Sequence, residues 1–126
     1  LRLGAIQRNS AMPTLMTQPG FVEVRPTDQP DNGGATVVSI NGVGVALFNL
    51  DGRIYAISDF CVRCGASLAL GVVTGTHVSC RQCSWRYDII SGRLTELPEL
   101  AVDRFEVRID DAHVLVATEP SALDSR

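Results

Sequence analysis

Residues 61–65 read Cys-Val-Arg-Cys-Gly, and residues 80–84 read Cys-Arg-Gln-Cys-Ser. These two short stretches decide the fold, because they hold all four cysteines of a 126-residue chain. The pattern is two Cys-x2-Cys pairs with fifteen residues between them, a spacing suited to a tetrahedral four-thiolate metal site. Two cysteines three positions apart on a tight turn aim both sulfurs at one ion. Two such turns on neighbouring hairpins supply four ligands with little loop-closure cost. Gly65 gives the first turn the backbone freedom it needs. Cys61, Cys64, Cys80 and Cys83 are therefore the candidate metal ligands. The alternatives are two disulfides or four free thiols. A thioredoxin-like pair would open a helix in a βαβ unit, and no helical period follows Cys64 or Cys83.

Four thiolates around a divalent ion leave a charge of about −2 on the site. Arg63, Arg81 and Arg86 lie in or beside the two turns and would offset part of it. At least one of them is expected to be an ordinary exposed turn residue.

Outward from the cysteines the chain reads as strands. Phe21-Val-Glu-Val-Arg25 alternates with a period of two. Residues 26–34 collect Pro, Asp, Asn and Gly and form a loop. Ala35–Ile40 and Val43–Leu50 are rich in β-branched and apolar residues and are joined by Asn41-Gly42, a two-residue hairpin signal. Asp51-Gly52 marks a second hairpin, returning through Arg53–Ser58. Between the cysteine pairs, 71–75 and 76–79 read as short strands about a Gly turn, and Trp85–Ile90 as another strand ended by Ser91-Gly92. Residues 94–100 contain Pro98 and form an irregular connection. Phe105–Ile109 and Val114–Ala117 form a last hairpin across 110–113. Many short strands with regular turns predict an all-β sandwich or barrel. Residues 1–20 are expected to be an N-terminal arm, 21–118 the domain with its metal-binding part at 59–92, and 119–126 a polar tail.

Composition narrows the function. Net charge is −3, which argues against nucleic acid or a membrane surface as partner. No apolar run approaches the ~20 residues of a membrane span, and the first twenty residues lack a secretory pattern. A cytoplasmic location is expected, where cysteines serve metals or redox chemistry more often than structural disulfides. There are no paired carboxylates, no Ser/His pair and no phosphate-cradling loop in the sequence, so no catalytic site and no small-molecule substrate are evident.

Cys61-Val-Arg-Cys-Gly-Ala-Ser-Leu-Ala-Leu-Gly71, Cys80-Arg-Gln-Cys-Ser-Trp-Arg-Tyr-Asp88 and Ser91-Gly-Arg-Leu94 resemble the two cluster loops of Rieske-type ferredoxins. In that family the first loop runs Cys-x-His and the second Cys-x-x-His, usually followed by Gly, an aromatic pair and a Thr-Gly or Ser-Gly turn. Gly65, Leu68, Gly71, Trp85, Tyr87, Asp88 and Gly92 match the flanking pattern. The resemblance extends more weakly over about Phe21 to Thr118. It implies a Rieske-like β-sandwich base with a small metal-binding subdomain, and a role in electron transfer, notably toward ring-hydroxylating oxygenases. The departure falls on the ligands. Arg63 stands at the first histidine position with Cys64 after it, and Cys83 stands at the second. The two histidines of the chain, His77 and His113, match neither place. His77 is read as capping or decorating a strand, and His113 as a turn residue.

A Rieske cluster holds one iron by two Cys and the other by two His. Paired Cys-x2-Cys turns converge instead on one ion, as in rubredoxins and zinc ribbons. The expected cofactor is therefore one Fe or Zn ion in a four-cysteine site, with a [2Fe-2S] cluster as the family's alternative. Two functions follow. With iron, the chain is a small electron-transfer component whose redox partner is a reductase or an oxygenase. With zinc, it is a structural interaction or regulatory module, or an accessory subunit on a Rieske-like scaffold. Trp85 and Tyr87 are read as packing the base of the second loop. The acidic residues Glu96, Glu99, Asp103, Glu106, Asp110 and Asp111 are read as a solvated face rather than a dock for a basic reductase.

Overall fold

A computed structural model describes residues 20–121. The expected N-terminal arm, apart from Gly20, lies outside the described residues, as do residues 122–126 of the expected tail. Among the described residues ten strands carry the fold: β1 (Phe21–Val24), β2 (Ala35–Ile40), β3 (Val43–Leu50), β4 (Arg53–Ser58), β5 (Val72–Thr74), β6 (His77–Ser79), β7 (Arg86–Asp88), β8 (Arg104–Phe105), β9 (Val107–Asp110) and β10 (His113–Ala117). Short 3-10 turns lie at Pro26–Asp28 and Leu68–Leu70. No α-helix occurs among the described residues, so none there is long and apolar enough to cross a membrane.

The strands form three sheets, ordered β2-β3-β4-β8, β9-β10-β1 and β5-β6-β7. The hairpin signals act as read. Asn41-Gly42 and Asp51-Gly52 take positive φ at both positions, the geometry whose twist matches the flanking strands. They set an antiparallel register that pairs Ile40 with Val43 and Leu50 with Arg53.

The four-stranded sheet is covered on both faces. Val45, Leu47, Ala56 and Phe105 pack with Val24, Val114 and Val116 of the second sheet, which makes the sandwich base. Ala46, Phe48 and Ile57 point the other way, into a core shared with Leu68, Val78, Tyr87, Ile89 and two of the cysteines. Residues 45–48 are consequently all fully buried, and β3 reads as a continuous apolar run rather than an alternating one. Each such Leu, Ile or Phe side chain contributes about 1.5–3 kcal/mol by leaving water.

Three details differ from the strand assignments above. The strand read over Trp85–Ile90 shortens to Arg86–Asp88. Trp85 closes the second cysteine turn through its carbonyl, which accepts the Cys80 N–H at 2.7 Å. At the far end the Asp88 carboxylate accepts the Ile90 N–H at 2.8 Å and bends the chain away. The strand read over Phe105–Ile109 breaks at Glu106, because β8 pairs with β4 while β9 pairs with β10 in the other sheet. His113 opens β10 rather than sitting in the turn, and its Nδ1 meets the Glu23 carboxylate of β1 at 2.5 Å.

The third sheet lies against β3 and β4 through Val78 and Tyr87, which pack on Ala46, Phe48 and Ile57. A Cβ on Gly71 would sit 2.2 Å from the Ser79 carbonyl oxygen and 3.0 Å from Val78. A residue with no side chain is therefore required where the first cysteine loop crosses β6.

Candidate metal centre

The first cysteine turn leaves the end of β4, and the second joins β6 to β7. Both are built from the same backbone hydrogen bonds. In the first, the Gly65 N–H donates to the Cys61 carbonyl at 2.9 Å, and the Cys61 N–H to the Ala66 carbonyl at 3.0 Å. In the second, the Ser84 N–H donates to the Cys80 carbonyl at 2.9 Å, and the Cys80 N–H to the Trp85 carbonyl. Each turn is a rigid knuckle that holds its two thiols on one side.

The knuckles face each other across the top of the third sheet. All four sulfurs lie within 4.8 Å of one another. Cys61 Sγ is 3.6 Å from Cys83 Sγ, and Cys64 Sγ is 3.5 Å from Cys80 Sγ. No disulfide joins any of them. Metal–sulfur bonds of about 2.3 Å in a tetrahedron place ligand sulfurs about 3.8 Å apart. The cage therefore fits one ion with small adjustments. Two irons side by side would require two ligand pairs drawn apart along the iron–iron axis, which this cage does not display. His77 stands in β6 with its Nδ1 3.5 Å from the Thr76 hydroxyl, and neither histidine joins the four-sulfur group.

The surroundings favour thiolates unequally. Cys61 and Cys80 are buried, while Cys64 and Cys83 are half-buried. The Tyr87 hydroxyl accepts the Val62 N–H at 3.0 Å and lies 3.2 Å from Cys61 Sγ. The hydroxyl proton is free to be donated to a Cys61 thiolate while the oxygen accepts from Val62. Burial pushes the Cys61 thiol up, but the Tyr87 hydroxyl and the Cys64 and Arg63 amides outweigh it and bring it down to about 6. The Arg63 amide stands 3.4 Å from that sulfur. At Cys64 the Ala66 amide pulls down, yet burial and the three neighbouring sulfurs drive the thiol up to about 12. Cys83 is likewise raised, the pull of the Trp85 amide being overcome by burial and by Cys61 and Cys80. Tyr87 itself is raised, first by burial and then by its bond to Cys61, so its hydroxyl keeps its proton. One low thiol among raised neighbours is what crowded sulfurs with a single charge to share produce. A cation in the cage removes the conflict by letting all four ionise.

Arg63 reaches across the top and stacks over Trp85, 5.2 Å from the ring centroid, joining the two knuckles. Arg86 is held by Glu96 at 2.6 Å. Arg81 is exposed. Below, Asp59 is buried, and its carboxylate accepts the Ser67 hydroxyl at 2.8 Å and the Ala69 N–H at 2.9 Å. Asp59 thus pins the return of the first loop. Tyr87 and Asp59 are the two positioning residues that reading the sequence missed. Tyr87 does pack the loop base, being fully buried, but a buried tyrosine hydroxyl also needs a partner, and that was the available signal. Asp59 offered no comparable signal.

The Rieske [2Fe-2S] domain matches residues 20–115. The ferredoxin component of naphthalene 1,2-dioxygenase/salicylate 5-hydroxylase systems from Ralstonia sp. is 26% identical over 105 residues, covering 82% of this chain and all of that protein. The ferredoxin of carbazole 1,9a-dioxygenase from Nocardioides aromaticivorans IC177 superimposes with a TM-score of 0.70 and 31% identity, over 77% of this chain and 96% of that one. A chain from the complex of reduced oxygenase and oxidised ferredoxin in carbazole 1,9a-dioxygenase gives a TM-score of 0.73 at 22% identity, over 83% and 99% of the two chains, and shows the shared fold. With three sheets in this arrangement and most of its length matched, the chain belongs to the Rieske [2Fe-2S] domain family, whose name implies an iron–sulfur cofactor.

Proposed function

We propose that this chain is a one-electron carrier, the ferredoxin component of an oxygenase or reductase system, built around one iron ion held by Cys61, Cys64, Cys80 and Cys83. The observation that carries the reading is the cage of four sulfurs within 4.8 Å of one another. The similarity to ferredoxin components of dioxygenase systems supports the carrier role. A bound iron supplies one-electron exchange between Fe(III) and Fe(II) without a change of ligands. The chain's own residues do the rest. The Tyr87 hydroxyl and the knuckle amides donate to the sulfurs and stabilise their negative charge. Buried Cys61 and Cys80 anchor the centre in the core, and half-buried Cys64 and Cys83 bring it to the surface where a partner approaches. The reading includes a cytoplasmic location, where a reducing compartment keeps four thiols available.

The test is iron, zinc and acid-labile sulfide per chain in protein purified without added metal. One iron, no sulfide and a red colour are expected. Two irons and two sulfides would replace the single ion with the family's cluster. One zinc and no colour would favour the structural module, a role that closed four-cysteine sites often serve. With no histidine in the cage, the potential of the iron form should stay flat between about pH 6 and 8, where a ligand imidazole would impose a slope.

A further inference from the structure

The charges of this molecule are segregated. Residues 60–87, which contain both knuckles, carry three Arg and neither Asp nor Glu, while the rest of the chain holds the other eight Arg and all fourteen acidic residues. Of the three, Arg86 is paired with Glu96. Arg63 and Arg81 are exposed, and neither makes an ion pair among the described residues. They stand among uncovered apolar side chains. Val62, beside Arg63, is 51% exposed, and Leu70 is 64% exposed. Leu70, Ala66, Ser67, Arg81 and Gln82 line one hollow of about 240 Å³ between the two loops. Trp85, under the Arg63 guanidinium, completes the surface.

We propose that this tip is a docking face for a redox partner that presents carboxylates around an apolar centre, so that the cationic side of the encounter lies on this chain. This rests on the electron-carrier reading. Electron-transfer encounters are small and short-lived, and opposite charge at the rim raises their association rate without requiring tight binding. The acidic residues do not contribute there. Glu106 pairs with Arg108, and Asp110 and Asp111 flank the β9–β10 turn on the sandwich base. Among the described residues, Glu96 neutralises Arg86, and the buried Asp59 carboxylate beneath the first loop is held by Ser67 and Ala69.

The experiment is an amide and indole NMR titration of the full chain loaded with zinc, which keeps the cage filled and diamagnetic. The probes are hexaglutamate, hexalysine and a single-stranded DNA hexamer. Hexaglutamate is expected to shift residues 62–64, Leu70, residues 81–83 and the Trp85 indole. R63Q and R81Q should each weaken its apparent affinity at least about fivefold, and added salt should weaken it further. Tip shifts with hexalysine, no tip shifts with hexaglutamate, or unchanged affinity in both variants would overturn the proposal. Stronger binding of the DNA hexamer at the tip would overturn it in favour of a phosphate-bearing partner. Zinc makes this readout independent of redox activity. The carrier reading fails separately, on the metal and sulfide analysis.

Discussion

The two knuckles are copies in backbone and differ in what surrounds them. Each has one buried and one half-buried cysteine, and each closes with the same pair of hydrogen bonds. At the position after the second cysteine both turns enter the left-handed region, with φ of 79° at Gly65 and 68° at Ser84. The first knuckle meets that demand with glycine. The second holds a serine there, and a side chain in this conformation costs about 1–2 kcal/mol. The Tyr87 hydroxyl reaches Cys61 of the first knuckle. Backbone geometry therefore sets where the sulfurs sit, while the neighbours set how readily each one ionises.

The largest expected effect tests the distinction between buried and half-buried ligands. C61S or C80S should abolish metal retention and melt β5–β7. C64S or C83S should leave a weaker site that water completes. The loss there is roughly a quarter of the ~10–16 kcal/mol that a structural four-ligand site supplies, or on the order of 10²- to 10³-fold in affinity. Metal per chain after dialysis, with near-ultraviolet circular dichroism, measures both. Equal behaviour of all four would erase the distinction.

Tyr87 supplies the next test. Y87F removes a donor to a charged sulfur, a bond worth about 1.5–3 kcal/mol. The reduced centre carries the greater negative charge and loses more, so the midpoint potential should fall, by less than the roughly 65–130 mV that the whole bond would be worth to the reduced state alone. Voltammetry of the iron form gives the answer, and an unchanged potential would remove the electrostatic difference between the knuckles. A residue exchange then probes the shared backbone. S84G should stabilise by about 1 kcal/mol, G65S should destabilise by about as much, and the double variant should nearly cancel. Thermal melts of the zinc form measure all three.

The smallest effect concerns Arg86 and Glu96, a pair with no counterpart on the first knuckle, where Arg63 stacks on Trp85 instead. The Arg86 guanidinium holds Glu96 below its ordinary 4.5. Its contribution is therefore present above about that pH and is lost as pH falls through the lower folded value. Both side chains are more than half exposed, so E96Q should leave melting at pH 7 in 0.15 M salt unchanged within error. A clear drop would mean that the pair locks the second knuckle to the loop after Gly92.

Reading the residues in order reached the elements that are local in the chain. Asn41-Gly42 and Asp51-Gly52 each contain their own turn geometry. The cysteine spacing anticipated four sulfurs that the fold does bring together. What escaped depends on residues distant in sequence. Tyr87 reaches Cys61 across 26 positions. The crossing at Glu106 arises because Phe105 finds Ala56 while Val107 finds Val116, a choice between two sheets that alternation cannot reveal. The two-sided burial of β3 was hidden for the same reason, since an apolar run does not say how many layers cover it.

That two-sided burial makes β3 a wall common to both halves of the molecule. Its backbone can reach solvent only if the sandwich and the metal lobe open together, so amide hydrogen exchange should be slowest at residues 45–48. Emptying the cage would then be felt as faster exchange on a strand that contributes no ligand. The clock for metal loss would be read in the middle of the sheet.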